Sequence, residues 1–245
     1  MESDSKIEFY RHNLIDADRA EVQAVLNSLF LTTGGVVKTF EEKFANYMHA
    51  KYAVGVTSCT DALFLALKGL GVGPGDEVIT TSMSFIATAN SVEYCGARPV
   101  FVDCEPGTGN IDAELIEAAI TERTKVILVV HLYGQLCDMK AISRIAKKHN
   151  LKVVEDAAHC IEGTRDGVRV GELGDVTCFS FYATKNLTCG EGGALLCNDK
   201  DLADWFLKAR QHGMSKGAVD RYHKRYDHYD MEFLGYKSNM SNIQA

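Results

Sequence analysis

The stretch Leu151-Lys-Val-Val-Glu-Asp156-Ala-Ala-His159 decides the fold. Its apolar centre is short and β-branched, which fits a buried strand better than a helix. Two carboxylates end that run, and a histidine follows three residues later. The stretch Val176-Thr-Cys-Phe-Ser180-Phe-Tyr-Ala-Thr-Lys185-Asn186 repeats the design, with a lysine beyond its apolar part. These two supply strand-like runs at 152–155 and 176–181. Outward from them, runs of the same kind lie at 52–56, 77–81, 99–102, 125–131 and 193–197. Helical patterns fill most of the gaps, at 61–70, 84–95, 112–120 and 139–149. Strand–helix alternation of this kind makes an α/β domain with a mostly parallel sheet buried on both faces.

Two more helices are expected before the sheet, at 17–30 and 39–50, and one after it, at 199–211. Residues 217–229 read as a charged, aromatic-rich loop, and 241–245 as the start of a helix that is cut off. The glycine run Gly69-Leu-Gly-Val-Gly-Pro-Gly75 looks like a dinucleotide fingerprint but follows a helix and precedes a strand. It reads as a helix end and a turn. No Walker A sequence, G-x-S-x-G elbow or H-E-x-x-H occurs.

The 245 residues are 46% apolar and 24% charged, with only 3 prolines, which excludes collagen-like, coiled-coil and disordered chains. A chain this long buries most of its unfolded surface. A net charge of −7 without a basic block argues against nucleic acid as the main partner. The mixed basic and aromatic stretch 221–229 is the one feature that points the other way, and it contains Asp227. No apolar run is long enough to span a membrane. The polar Met1-Glu-Ser-Asp-Ser-Lys6 lacks the apolar core of a signal peptide. Eight cysteines show neither C-x-x-C nor zinc-ligand spacing, so reduced structural thiols and no metal are expected. The expected compartment is the cytoplasm.

In open α/β sheets, ligands bind beyond the carboxyl ends of the strands. That edge collects Asp156, His159, Ser180 and Lys185. It also collects Thr57-Ser-Cys59-Thr60-Asp61, which opens a helix whose free N–H groups favour a phosphate, and Phe85 beyond the 77–81 run. Singly, each has an ordinary explanation. Asp156 fits a turn or cap, Lys185 a solvated charge, Ser58 or Thr60 an N-cap, Phe85 a core aromatic and His159 a structural histidine. Together they are the parts that hold a pyridine-phosphate aldehyde. Such an aldehyde is tethered as an imine to a lysine amine. Its ring withdraws electrons while the ring nitrogen stays protonated, and a buried carboxylate raises that nitrogen's pKa.

Further stretches carry a resemblance. They are Phe40-Glu-x-x-Phe44, Gly75-Asp-Glu-Val-Ile79, Ser84-Phe-Ile-Ala-Thr-Ala-Asn90, Gly96-Ala-Arg-Pro-Val-Phe-Val-Asp103, Val130-His-Leu-Tyr-Gly134, Gly190-Glu-Gly-Gly193 and Gly235-Tyr-Lys-Ser-Asn-Met-Ser-Asn-Ile-Gln-Ala245. With the two opening stretches and Thr57-Ser-Cys-Thr-Asp-Ala-Leu63, the chain resembles the DegT/DnrJ/EryC1/StrS family of pyridoxal-phosphate-dependent sugar aminotransferases. The resemblance implies a fold type I large domain, a three-layer α/β/α with a mostly parallel seven-stranded sheet. It implies pyridoxal 5′-phosphate as cofactor and Lys185 as its tether and proton shuttle. By the same resemblance, Asp156 pairs with the pyridine nitrogen, His159 sits near the phenolic oxygen and Phe85 stacks on the ring. Ser180 with Cys59, Thr60 and Asp61 holds the phosphate. Asn239 reaches the phosphate from the neighbouring subunit of a homodimer, and Thr33, Gly34 and Gly35 approach the sugar.

The chain departs from the family pattern at three places. Cys59 stands where the phosphate turn usually has glycine, Gly34-Gly35 where Gly-Pro is common, and the chain stops at Ala245, before an expected C-terminal domain. The implied division is 1–50 as a helical segment on the substrate side, 51–215 as the cofactor-binding domain and 216–245 as the start of a connection to that domain. Some relatives carry His in place of the tether lysine and act as sugar dehydratases; Lys185 favours transamination. The expected activity is transfer of an amino group, from glutamate, to a nucleotide-linked 4-keto-6-deoxy or 3-keto sugar. The alternative is a truncated cofactor-binding relative that acts as an interaction module.

Overall fold

The computed structural model describes residues 7–215 and 230–245. Seven strands form one sheet: β1 (Tyr52–Val56), β2 (Glu77–Thr81), β3 (Arg98–Val102), β4 (Thr124–Val130), β5 (Lys152–Asp156), β8 (Val176–Ser180) and β9 (Gly193–Cys197). Their order is β1-β9-β8-β5-β4-β2-β3. Every neighbouring pair is parallel except the two made by β9, which is antiparallel to both β1 and β8. Among the described residues seven α-helices accompany the sheet: α1 (Asp16–Leu26), α2 (Gly35–Tyr47), α3 (Cys59–Gly69), α4 (Ile86–Tyr94), α5 (Ala113–Ile116), α6 (Met139–His149) and α7 (Lys200–Ala209). The family-implied seven-stranded, mostly parallel sheet between helical layers is what forms.

Alternation along each strand divides the core in two. Ile79, Ile127, Val129, Val153 and Phe179 face the layer that contains α2, α5 and α6. Val78, Val126, Leu128, Val154 and Cys178 face the layer that contains α3, α4 and α7. Each fully buried Val, Leu or Ile side chain contributes about 1.5–3 kcal/mol relative to exposure. The helices begin where side chains satisfy the first-turn N–H groups. Ser58, Asp138 and Asp199 accept from Asp61, Ala141 and Leu202 at 3.1, 2.9 and 3.0 Å.

The glycine run closes α3 and turns into β2, with Gly71 and Gly75 at positive φ, as a turn requires. Elsewhere boundaries move. The helix expected at 84–95 starts at Ile86, because Phe85 stays extended at φ −75°, ψ 146°. The one expected at 39–50 starts at Gly35, so Gly34 is its N-cap. The one expected at 112–120 divides into α5 and a 3₁₀ turn at Glu117–Ala119. A hairpin of β6 (Thr164–Arg165) and β7 (Val168–Arg169) adds a second sheet. Its turn is Asp166-Gly167, both at positive φ, a dipeptide suited to such a turn and overlooked in the strand assignment.

Residues 230–245 return to the end of β1, where Thr57 N–H donates to Ser238 O at 3.0 Å. Residues 241–245 make a turn, with Gln244 and Ala245 N–H both on Ser241 O. The charged loop at 217–229, with its basic and aromatic interleaving, lies outside the described residues. All eight cysteines are free thiols. Among the described residues no helix is long and apolar enough to cross a membrane, and no cluster of three metal-ligating side chains forms.

Candidate active site

All six parallel strands end on one edge, so the segments after β1, β2, β4, β5 and β8 meet there. Asp156 is the last residue of β5 and is only 6% exposed. It has the strand parity of Val154 and so faces the α3–α4 layer. Its Oδ2 accepts from Thr88 Oγ1 at 2.8 Å, and its Oδ1 from Ala158 N–H at 3.1 Å. The thiol of Cys59 lies 4.0 Å from Oδ1. Burial raises the carboxyl above its ordinary pKa, and the bonds from Thr88 and Ala158 pull it back.

Lys185 lies in the loop after β8, where its N–H donates to Tyr182 O at 2.9 Å. Its ammonium is half-buried, and among the described residues no carboxylate or carbonyl accepts from Nζ. Burial lowers the Lys185 pKa, while the Cys59 and Asp156 groups act against that shift. His159 is shifted down as well, first by burial and then by the Lys185 charge. Its ring stacks on Tyr133, centroids 5.8 Å apart and planes within 7°. Tyr133 holds a left-handed backbone at φ 51° and exposes three quarters of its surface.

The turn that opens α3 lies alongside. Residues Cys59 and Thr60 begin α3, where first-turn N–H groups have no intrahelical acceptor. The Asp61 carboxylate accepts from the hydroxyls of Thr57 and Ser58, so it orders the turn rather than projecting from it. Ser180 ends β8, buried, with Oγ accepting from Tyr182 N–H at 3.3 Å. Gly193 presses against this turn: a Cβ there would stand 2.4 Å from Ser58 C and 2.6 Å from Cys59 N. Phe85 is the N-cap of α4 and is 75% exposed.

Thr33, Gly34 and Asn239 form a neighbouring cluster. Asn239 Nδ2 donates to Thr33 Oγ1 at 2.6 Å, and Thr33 Oγ1 donates to Met240 O at 2.6 Å. Gly34 abuts the Asn242 side chain, which also accepts from Val37 N–H at 3.1 Å, while Gly35 stands clear. Asn239 pairs with Val56, at the end of β1, so both clusters share the Thr57 turn. Sequence reasoning assigned no role to Thr88, Tyr133, Gly193 or the buried His131–Glu155 pair. The motifs quoted above contain all five residues, but nothing local marks what they touch.

Among the described residues, an amine without a hydrogen-bond acceptor, a buried carboxylate, an imidazole shifted toward its neutral form and a helix start thus share one strand edge. Residues 13–245 match the DegT/DnrJ/EryC1/StrS aminotransferase family, and the chain belongs to it. Over 226 residues it is 50% identical to the spore coat polysaccharide biosynthesis protein SpsC of Bacillus subtilis, covering 92% of this chain and 58% of that one. Over 214 residues it is 46% identical to the GDP-perosamine synthase of Caulobacter vibrioides, covering 87% and 55%. Among solved structures, NtdA of Bacillus subtilis with bound cofactor PMP superposes with a TM-score of 0.81 at 36% identity, covering 94% of this chain and 52% of that one. The chain thus spans a little more than half the length of the curated relatives it matches.

Proposed function

We propose that the chain binds pyridoxal 5′-phosphate and serves transamination of a nucleotide-linked keto sugar. The observation that carries this reading is Lys185: a half-buried amine with a depressed pKa, within electrostatic reach of Asp156 and without a hydrogen-bond acceptor among the described residues. The donor set fits the cofactor. The start of α3 offers N–H groups and positive helix polarity to a phosphate, with the Ser180 hydroxyl beside it. Asp156 offers a buried anion to a ring nitrogen, His159 a neutral imidazole to a ring oxygen, and Phe85 an exposed plane. When bound, the cofactor supplies an aldehyde that exchanges amines and a ring that delocalises the electron pair released at the amino carbon.

The chain's own residues do the rest. Burial favours the neutral form of Lys185, so Nζ could accept a proton from the amino-acid carbon in the first half-reaction and donate one to the sugar carbon in the second. Asp156 holds the ring nitrogen in its charged form. Ser58, Thr57 and Asp61 keep the phosphate turn rigid, so binding energy is not spent on ordering it. The name of the Caulobacter relative supports a nucleotide-linked sugar as acceptor. The keto group at carbon 4 of a 6-deoxy sugar or at carbon 3, glutamate as donor, a homodimer in which Asn239 serves the neighbouring site, and a cytoplasmic setting belong to the same proposal.

The test is to saturate the purified chain with pyridoxal phosphate and remove the excess. Wild type should keep a visible cofactor band that Lys185→Ala lacks, and glutamate should bleach it. A wild type that stays colourless would sink the proposal. A bound cofactor that glutamate never converts would support the interaction module instead. A screen of nucleotide-linked keto sugars against the converted form would then identify the acceptor.

A further inference from the structure

Asp156 is the buried anion of the proposed site, yet two of the side chains that set its geometry come from another part of the chain. Thr88 lies 68 residues away, in the first turn of α4, and is 1% exposed. Its Oγ1 is 2.8 Å from Asp156 Oδ2 and 2.6 Å from Ser84 Oγ. Hydrogen positions follow from the chemistry. An ionised carboxylate only accepts, and Thr88 has a single hydroxyl proton, so Thr88 donates to Asp156. Its oxygen is then free to accept, and Ser84 donates to it. Ser84 is half-buried, in the loop ahead of Phe85, so the two hydroxyls run from the mouth of the site to the buried carboxylate. Thr88 N–H donates to Phe85 O at 3.1 Å, which ties the same helical turn to the exposed ring.

We propose that Ser84 and Thr88 are positioning residues: a directed pair of hydroxyls that orients the Asp156 carboxylate and holds it ionised for the ring nitrogen of the cofactor. The functional meaning rests on the reading of the site above, but the hydroxyl–carboxylate coupling does not. A charge-assisted hydrogen bond from a buried hydroxyl favours the anion, and chains of such bonds polarise one another. The other groups whose charge acts on Asp156 are His131, just past β4 and bonded to Glu155, His159 from its own loop, Cys59 from α3, Cys178 from β8 and Lys185. Lys185, and His159 when protonated, also favour the anion, whereas the two thiols stay protonated, so among the described residues Thr88 is the uncharged side chain that opposes the effect of burial with a short bond. The turn couples the two ring contacts, since Phe85 and Thr88 stand three residues apart on it.

The experiment uses the full chain without cofactor, with the carboxyl carbon of Asp156 followed by NMR across pH. Pyridoxal phosphate affinity is measured separately by fluorescence quenching. Thr88→Val keeps the shape and removes the hydroxyl. It should raise the Asp156 midpoint by about one pH unit and weaken cofactor binding about tenfold. Thr88→Ser should restore both, and Ser84→Ala should shift both in the same direction by a smaller amount. Wild-type midpoints in folded Thr88→Val would overturn the coupling. If Thr88→Val does not fold, Ser84→Ala decides: an upward midpoint supports the pair, and an unchanged one overturns it. A shifted midpoint would support the pair even if no variant, nor the wild type, bound pyridoxal phosphate, which would count against the proposed function alone.

Discussion

Glu155 and Asp156 are consecutive carboxylates at the end of β5, and strand alternation sends them to opposite layers. Glu155 faces the α6 side and has no exposed surface. Its oxygens accept from His131 Nε2 at 2.8 Å, Gly171 N–H at 3.0 Å and Gly174 N–H at 2.8 Å. Since His131 Nδ1 accepts from Cys137 N–H at 3.2 Å, Nε2 carries the donated proton. A Cβ on residue 174 would stand 2.4 Å from Glu155 Oε1, so only glycine allows that approach. Asp156 faces the α3–α4 side, takes bonds from Thr88 and Ala158, and keeps acceptor capacity toward the strand edge. One carboxylate is saturated and ties loops together. The other is held at a cost, with acceptor capacity to spare. Two buried carboxylates at one strand end therefore differ in how fully they are satisfied.

The contrast can be broken most severely at Glu155. Glu155→Ala leaves a buried histidine donor and two part-buried N–H groups without an acceptor, and should cost about 3 kcal/mol in urea denaturation. Asp156→Ala in the cofactor-free chain should cost at most about 1 kcal/mol, because losing its hydrogen bonds is offset by losing a carboxylate whose charge burial opposes. Equal losses at the two positions would erase the distinction. The second expectation concerns activity. Asp156→Asn should slow the glutamate half-reaction about a hundredfold, read by stopped-flow absorbance, with the fold retained.

A smaller effect tests the wall of the phosphate turn. Gly193→Ala forces a Cβ into Ser58 and should weaken pyridoxal phosphate binding about tenfold by equilibrium dialysis. Gly107→Ala, with open space around it, should leave both affinity and stability within about 0.5 kcal/mol of wild type. The smallest effect is a pH dependence. Asp156 has a folded pKa above its ordinary 3.8. Between those two values the folded state binds the proton more tightly than the unfolded state. Cofactor-free stability should therefore fall as pH rises through that window and then level off. Asp156→Asn should lack this fall in pH-resolved melting curves; a parallel curve would show that the carboxyl is not strained by burial.

Much of the fold was legible because its signals are local. The short runs at 77–81 and 193–197 became β2 and β9 without adjustment, and the helical pattern at 139–149 became α6. Boundaries moved where a turn residue outweighed the periodic pattern, as at Phe85 and Gly34. The Asp166-Gly167 hairpin was missed because two-residue strands are too short to show alternation. The site was half legible. Asp156, His159, Ser180 and Lys185 stand at strand ends, where the strand-edge rule and the family motifs both single them out. Thr88, Tyr133 and Gly193 stand inside quoted motifs without any mark of their partners, because those partners lie elsewhere in the chain.

By itself the sequence determined the alternating strands and helices, the sheet edge that gathers chemistry and the lysine at its centre. Period, β-branching and capping act within a few residues, and a sequence displays them directly. Only the tertiary structure decided which of two adjacent carboxylates is structural, which hydroxyls orient the other and which glycine presses on the phosphate turn. Those are questions of distance between residues far apart in the chain, settled when the two faces of the sheet are packed and each buried polar group must find its partner.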